Sequence, residues 1–285
     1  MKKIYAFLLI VLLCITGTGY AAYAQDPLES PRTIYLPILM YHQISADPSK
    51  LSQYVISPEE FESDLQLIQQ HGYTTITVND LINYAYHQAK LPEKPIMLTF
   101  DDGYESDYVY AFPLLKKYKE KAVFSIIGNY ADLYSGDVHK DISYSHLSWD
   151  QIKEMHDSKL AEFHHHSYNM HNVSRRRGAL KRKNESYDEY KHIINNDLDK
   201  LNTEFVQYIG TPSTAFTCPY GFYNEALKQA LKEFGFTAVL TTNEQFNKLT
   251  GNPEELYSLN RFVRSHRLDI NRLIKNWETI SAQKQ

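Results

Sequence analysis

The sequence contains only two cysteines, Cys14 and Cys218, so no disulfide framework holds it together. Long apolar runs are absent too. The longest, Ile4 to Ile15, spans 12 residues, short of the ~20 that a membrane-spanning helix needs. No Gly/Ser-rich or Pro-rich linker divides the chain, which argues for one domain. Neither a G-x-G-x-x-G string nor a Walker loop occurs, so nothing points to a dinucleotide or nucleoside triphosphate site. Positive charge is not in excess: 30 Lys and Arg face 34 Asp and Glu, a net charge of −4, which excludes a general nucleic-acid binder.

The N-terminus has a recognisable order. Met1-Lys2-Lys3 precedes the short apolar run, and Ala22-Tyr23-Ala24 supplies small residues at a cleavage position. This is the layout of a secretory signal peptide over residues 1–24, so a secreted or cell-surface protein is expected. A lipoprotein attachment at Cys14 is disfavoured because Leu13 stands where a small residue is expected. Cleavage after Ala24 would remove Lys2, Lys3 and no acid, leaving 28 basic and 34 acidic side chains and a formal charge of −6. It would also leave Cys218 as the lone cysteine, so the fold must hold through its apolar core.

After a lead-in over residues 25–36, residues 37–285 alternate apolar runs with stretches of helical period. Candidate strands are Ile34 to Tyr41, Tyr73 to Val78, Ile96 to Phe100, Ala122 to Ile127, Leu160 to His165, Ala215 to Cys218, Phe236 to Thr242 and Ser258 to Val263. They are continuous runs, as expected when both faces of a sheet are buried. Capping boxes at Ser57, Ser148 and Ser186 open three helices, the first with Pro58 at its first position and Gly72 as its stop. Phe61, Leu65 and Ile68 share one helical face, as do Tyr190, Ile194, Leu198, Leu201 and Phe205; both stripes read as core. The pattern predicts an α/β fold, a distorted (β/α) barrel of seven or eight parallel strands, with an open doubly wound sheet as second choice.

Two strings carry chemistry. Thr99-Phe100-Asp101-Asp102-Gly103-Tyr104 ends an apolar strand with adjacent carboxylates, which a barrel would place at its C-terminal rim. Two neighbouring acids in a low-dielectric pocket need a cation or a hydrogen-bond network; Asp-Asp-Gly is also an ordinary loop string. The second string is Glu162-Phe163-His164-His165-His166-Ser167-Tyr168-Asn169-Met170-His171. A spacing of five between His166 and His171 fits neither a helix face nor a strand face, so the two converge only if His166 ends a strand and the loop folds back. Imidazoles with a carboxylate suit zinc or a similar transition metal. By alternation His164 shares the face of His166, and His165 points away.

These strings resemble the carbohydrate esterase family 4 polysaccharide deacetylases, also called the NodB homology domain. Thr-Phe-Asp-Asp-Gly-Tyr is similar to the family's first motif, which implies Asp101 as catalytic base and Asp102 as metal ligand. The spacing of His166 and His171 is similar to the branch that deacetylates poly-β-1,6-N-acetylglucosamine, and implies both as ligands. In that branch a Tyr-His near the N-terminus takes the general-acid role. Leu39-Met40-Tyr41-His42-Gln43 resembles it and implies His42 as acid. Cys218-Pro219-Tyr220-Gly221 resembles the third motif, whose tyrosine backbone N–H helps form the oxyanion hole, here Tyr220. The sequence departs from the family in lacking an Arg before that Pro, for which Arg261 or Arg264 are candidate substitutes, with surface ion pairs as their alternative reading, and in lacking a clear fourth motif.

The resemblance covers Pro37 to Val263 and implies a hydrolase that uses a divalent metal, zinc first, to remove acetyl groups from an N-acetylated polysaccharide. The partners expected are that glycan and the cell wall; an oligomeric state is not indicated. The first alternative is a decayed, non-catalytic wall-glycan binder on the same barrel. The second is a glycosidase with two carboxylates. Lesser candidates are a basic loop (Arg175-Arg176-Arg177, Lys181-Arg182-Lys183), read as a solvated loop before a contact for an acidic polymer, Trp149 and His146 as sugar-groove residues, with packed core as the alternative for Trp149 at its helix start, and Cys218, read as a buried thiol.

Overall fold

A computed structural model describes residues 33–174 and 176–283. The expected signal segment, Cys14 and Arg175 lie outside these residues. The strands are Ile34–Leu36 (β1), Ile38–Tyr41 (β2), Gln43–Ile44 (β3), Val55–Ile56 (β4), Thr74–Thr75 (β5), Pro95–Asp102 (β6), Ala122–Ile126 (β7), Ala161–His165 (β8), Ala215–Thr217 (β9), Ala238–Leu240 (β10), Asn247–Leu249 (β11) and Phe262–Val263 (β12). The helices are Pro58–Gln70 (α1), Val78–His87 (α2), Phe112–Tyr118 (α3), Gly128–Ser135 (α4), Trp149–Asp157 (α5), Tyr187–Ile209 (α6), Glu225–Phe234 (α7) and Ile270–Gln283 (α8). No helix among the described residues is long and apolar enough to cross a membrane.

Seven strands make one parallel path, β10-β9-β8-β7-β6-β2-β12, and β5 joins beside the start of β6. The path curls until its two ends are linked by one segment: Leu259 bridges Leu240 of β10, while Phe262 and Val263 pair with Leu39 and Met40 of β2. This is the distorted parallel barrel expected from the alternation of elements. Both faces of the strands are buried. Leu39, Tyr41, Leu98, Phe100, Phe124 and Phe163 pack with Phe61, Leu65 and Ile68 of α1, while Ile38, Met97, Val123, Ala215 and Ala238 fill the opposite face.

The structure corrects several element boundaries. The single strand expected from Ile34 to Tyr41 breaks at Pro37, which has no N–H for a ladder. Ile34–Leu36 instead pairs antiparallel with β11, a strand absent from the sequence reading. The expected strand Tyr73 to Val78 shrinks to two residues because Thr77 caps α2 through a capping box with Asp80. Ser258 to Val263 carries only β12, preceded by a 3-10 turn over Pro253–Ser258. The three expected capping boxes at Ser57, Ser148 and Ser186 all form.

Helix α6 is the longest, and its stripe of Tyr190, Ile194, Leu198, Leu201 and Phe205 is fully buried. Leu198→Ala should therefore cost ~2–5 kcal/mol, seen as a lower urea midpoint at unchanged slope, whereas Val206→Ala on the exposed side of the same helix should stay within ~0.5 kcal/mol.

Candidate metal centre

Strand β6 runs on to Asp102, and its alternation puts Thr99 and Asp101 on the inner face. The chain then leaves the strand sharply, with Asp102 at φ 70° and Gly103 at φ 71°. A positive φ at a non-glycine residue is strain held in place by its surroundings. Gly103 is required twice over, since a Cβ there would sit 2.8 Å from Ile126 Cγ2. The result aims the two carboxylates in different directions.

Asp101 is buried and grips Arg261 in a two-pronged pair, Nη1 to Oδ1 at 2.6 Å and Nη2 to Oδ2 at 2.8 Å. Burial works to raise the pKa of Asp101, but the Arg261 guanidinium overrides it and holds the carboxyl below its ordinary range. Arg261 is itself fully buried and donates also to the Thr241 carbonyl and to Thr99 Oγ1, so its charge is fully partnered. Arg264, the other substitute considered, turns away and pairs with Asp64, Nε to Oδ2 at 2.7 Å.

Asp102 faces the histidines. Its Oδ1 lies 3.4 Å from His166 Nε2 and 3.3 Å from His171 Nε2, and this buried oxygen has no conventional hydrogen-bond partner. One potential ligand atom from each residue comes within 4.8 Å of the others, the only such Asp/Glu/His/Cys group found among the described residues. Two ligands on a tetrahedral zinc at ~2.0–2.1 Å stand about 3.4 Å apart, so the donor set fits a zinc-sized cation. His166 Nδ1 donates to the Thr217 carbonyl at 2.9 Å, which fixes the tautomer and leaves Nε2 free to coordinate. His171 is reached by the fold-back through Ser167 at φ 72°. Its ring packs 4.4 Å from that of Tyr220.

The charges of the cluster agree with this fit. Burial tends to raise Asp102, but His166 and His171 hold it far below the ordinary carboxylate range. Burial and the neighbouring His166 push His171 down to about 4, so it is neutral, as a ligand must be. Burial opposes charge on His166 too, yet Asp102, Asp101 and the Thr217 carbonyl raise it; a proton there is one that a bound cation displaces.

His42 follows β2 at the same end of the barrel. Its Nδ1 is buried without a hydrogen-bond partner, and its ring lies 4.8 Å from that of Tyr54. Burial lowers its pKa, while Asp101 and Asp102 pull the other way. Tyr220 sits in a tight turn at φ 58°, its side chain 45% exposed beside His171. Gly221 follows where a Cβ would meet Thr242 Oγ1 at 1.9 Å, so no other residue fits there.

The other candidates separate cleanly. His164 lies below the site, bound to Glu162 at 2.6 Å and Ser213 at 3.0 Å, and His165 points outward among Phe205, Phe216 and Phe236. Trp149 does not line a groove; it is buried and stacked on Tyr208. His146 is buried among the rings of Tyr104, Tyr130 and Tyr134. In the basic loop Arg176 pairs with Glu185, and Arg177 covers Phe222 just after the Pro219–Gly221 turn. Cys218 is a buried thiol, as expected. The sequence reading missed the Thr217 carbonyl, Tyr54 and Asp197. Only Asp197 carried a hint, as an acid between the apolar positions Ile194 and Leu201.

Known proteins resemble this chain in sequence and in fold. A polysaccharide deacetylase family model matches residues 88–239. The chain is 26% identical over 250 residues to the poly-β-1,6-N-acetyl-D-glucosamine N-deacetylase of Staphylococcus epidermidis, covering 87% of this chain and 81% of that protein. It is 25% identical over 232 residues to the Staphylococcus aureus protein of the same name, covering 80% and 74%. Among solved structures, IcaB from Ammonifex degensii superposes with a TM-score of 0.68 at 28% identity, over 85% of this chain and 96% of that one. A de-N-acetylase from Aggregatibacter actinomycetemcomitans reaches 0.73 at 26% identity, over 85% and 99%. With more than half of its length inside the family model, the chain belongs to the polysaccharide deacetylase family and is a deacetylase.

Proposed function

We propose that this deacetylase is metal-dependent and removes N-acetyl groups from a β-1,6-linked N-acetylglucosamine polymer outside the cell. The observation that carries the reading is the convergence of Asp102, His166 and His171 on one point beside the Arg261-locked carboxylate of Asp101. The substrate class rests on the relatives named poly-β-1,6-N-acetyl-D-glucosamine N-deacetylases. Export rests on the signal-like order of residues 1–24.

In this reading Asp102, His166 and His171 hold a divalent cation, zinc first. Such a cation supplies Lewis-acid polarisation of the acetyl carbonyl and a water of lowered pKa. Asp101 takes the proton of the attacking water as general base. It stays ionised for that task because Arg261 stabilises its charge, and its two oxygens are held in one orientation by the same guanidinium. The Tyr220 N–H donates to the oxygen on which charge develops, in a turn that Gly221 makes possible. His42 donates a proton to the departing glucosamine nitrogen, so the products are acetate and a free amine. Burial lowers the pKa of His42 on balance, and Asp101 and Asp102 offset part of that by favouring its charged form. Arg261 fills the role of the Arg missing before Pro219, which weakens the case for a decayed binder.

Three measurements test this. Asp101→Asn should still bind zinc in a calorimetric titration but release less than ~1% of the wild-type acetate; wild-type turnover would remove Asp101 as base. His166→Ala should lose zinc binding and activity together. Across poly-N-acetylglucosamine, peptidoglycan and chitin oligomers, acetate release should be fastest on the first, stop with a chelator and return with zinc. Release of reducing ends that survives the chelator would favour the glycosidase, and no release from any polymer the binder.

A further inference from the structure

The two metal-site histidines are anchored very unequally. His166 prolongs β8: its N–H donates to the Ile126 carbonyl of β7, and its ring is tied to Thr217. His171 lies five residues on, in a loop without secondary structure of its own, and the reach of that loop decides whether its Nε2 arrives beside Asp102. Between them, Tyr168 and Asn169 turn successive backbone N–H groups to the same side. Both donate to one carboxylate, Asp197 on α6: Tyr168 N to Oδ1 at 2.7 Å and Asn169 N to Oδ2 at 2.8 Å. Adjacent N–H groups after a left-handed residue, here Ser167, form a concavity that takes an anion. The carboxylate comes from 28 and 29 positions along the chain and fills that concavity with each oxygen used once.

We infer that Asp197 is a positioning residue for the metal centre, holding the 167–171 loop so that His171 is presented to the cation before it binds. The inference rests on the metal-dependent reading above. The remaining loop contacts run the same way: Gly128 and Asn129 at the start of α4 donate to the Ser167 and Tyr168 carbonyls, and Met170 N donates to Ser167 Oγ. These bonds come from α4 and from within the loop; on α6, Lys200 reaches the Tyr168 hydroxyl, and Asp197 is the residue that grips the loop's backbone. Charge-assisted bonds to two N–H groups are about twice as strong as neutral ones, so this is the loop's firmest tether. Losing it would leave cation binding to order the loop itself, at a cost in affinity.

The test uses the full mature chain. Asn at 197 keeps one acceptor oxygen but aims an NH2 donor at the other N–H, so Asp197→Asn breaks one bond and opposes it with a donor. Asp197→Ala removes both. Stripped protein is titrated with zinc against a competing chelator and with cobalt, read by its visible absorption. Both variants should bind zinc ~10–100-fold more weakly and show a changed cobalt spectrum. Ser57→Ala, which removes the distant cap of α1, serves as a control of comparable stability loss and should leave zinc affinity and spectrum unchanged. Wild-type zinc affinity and cobalt spectrum in both Asp197 variants would overturn the inference, and so would an equal loss in Ser57→Ala. If the unaltered protein binds neither ion, the metal-dependent reading falls first. If it binds both and Asp197→Asn weakens them, the inference stands whichever polymer proves to be the substrate.

Discussion

The buried pair between Asp101 and Arg261 joins the chemistry of this protein to the closure of its barrel. Arg261 belongs to the short segment that bridges the two ends of the parallel path, between Leu259 beside β10 and Phe262 beside β2. From there its guanidinium reaches the Thr241 carbonyl, the Thr99 hydroxyl and both oxygens of Asp101. Desolvating two charges is costly, and breaking such a pair on one side typically costs about 3–5 kcal/mol. That cost is offset here because each guanidinium bond and each carboxylate oxygen in the contact is used. The same geometry that joins the sheet ends therefore sets the orientation and ionisation of the proposed base.

Around that pair the centre is assembled from elements far apart in the chain. The end of β6 contributes Asp102 by leaving the strand through two left-handed residues, and β8 contributes His166 while β9 fixes its tautomer through the Thr217 carbonyl. His171 arrives by a loop whose backbone is gripped by Asp197 of α6. Asp102, Ser167 and Tyr220, three of the seven non-glycine residues with positive φ among the described residues, frame the donor set. Strain of this kind persists only where neighbouring contacts over-determine it, and the close approaches at Gly103 and Gly221 are part of those contacts.

Much of this was legible in the chain. Capping boxes and apolar stripes located the helices because those signals are local: the cap and its partner lie three residues apart, and the stripe repeats within two turns. The Asp-Asp-Gly string and the histidine run marked the centre because motif spacing encodes a strand end and its following turn. Boundaries were less legible where a single residue type overrode an apolar run, as Pro37 does in splitting the first strand and Thr77 does in opening α2. Trp149 stays open between groove and core in the sequence for a related reason: nothing local to a helix start says whether an aromatic ring faces a groove or, as here, stacks on Tyr208.

The sequence by itself determined the alternation that makes a parallel barrel, the left-handed turns that need Gly103 and Gly221, and the identity of the acids and histidines that converge. Tertiary structure alone decided which arginine serves Asp101, since Arg261 and Arg264 stand three residues apart and only the register of the closing segment sends one inward to Asp101 and the other to Asp64. It also decided that Asp197 meets the loop between the histidines, and that a carbonyl of β9 sets the tautomer of His166. These contacts join residues between 28 and 200 positions apart. No local pattern can encode them, because they exist only once the sheet has curled and its faces are buried.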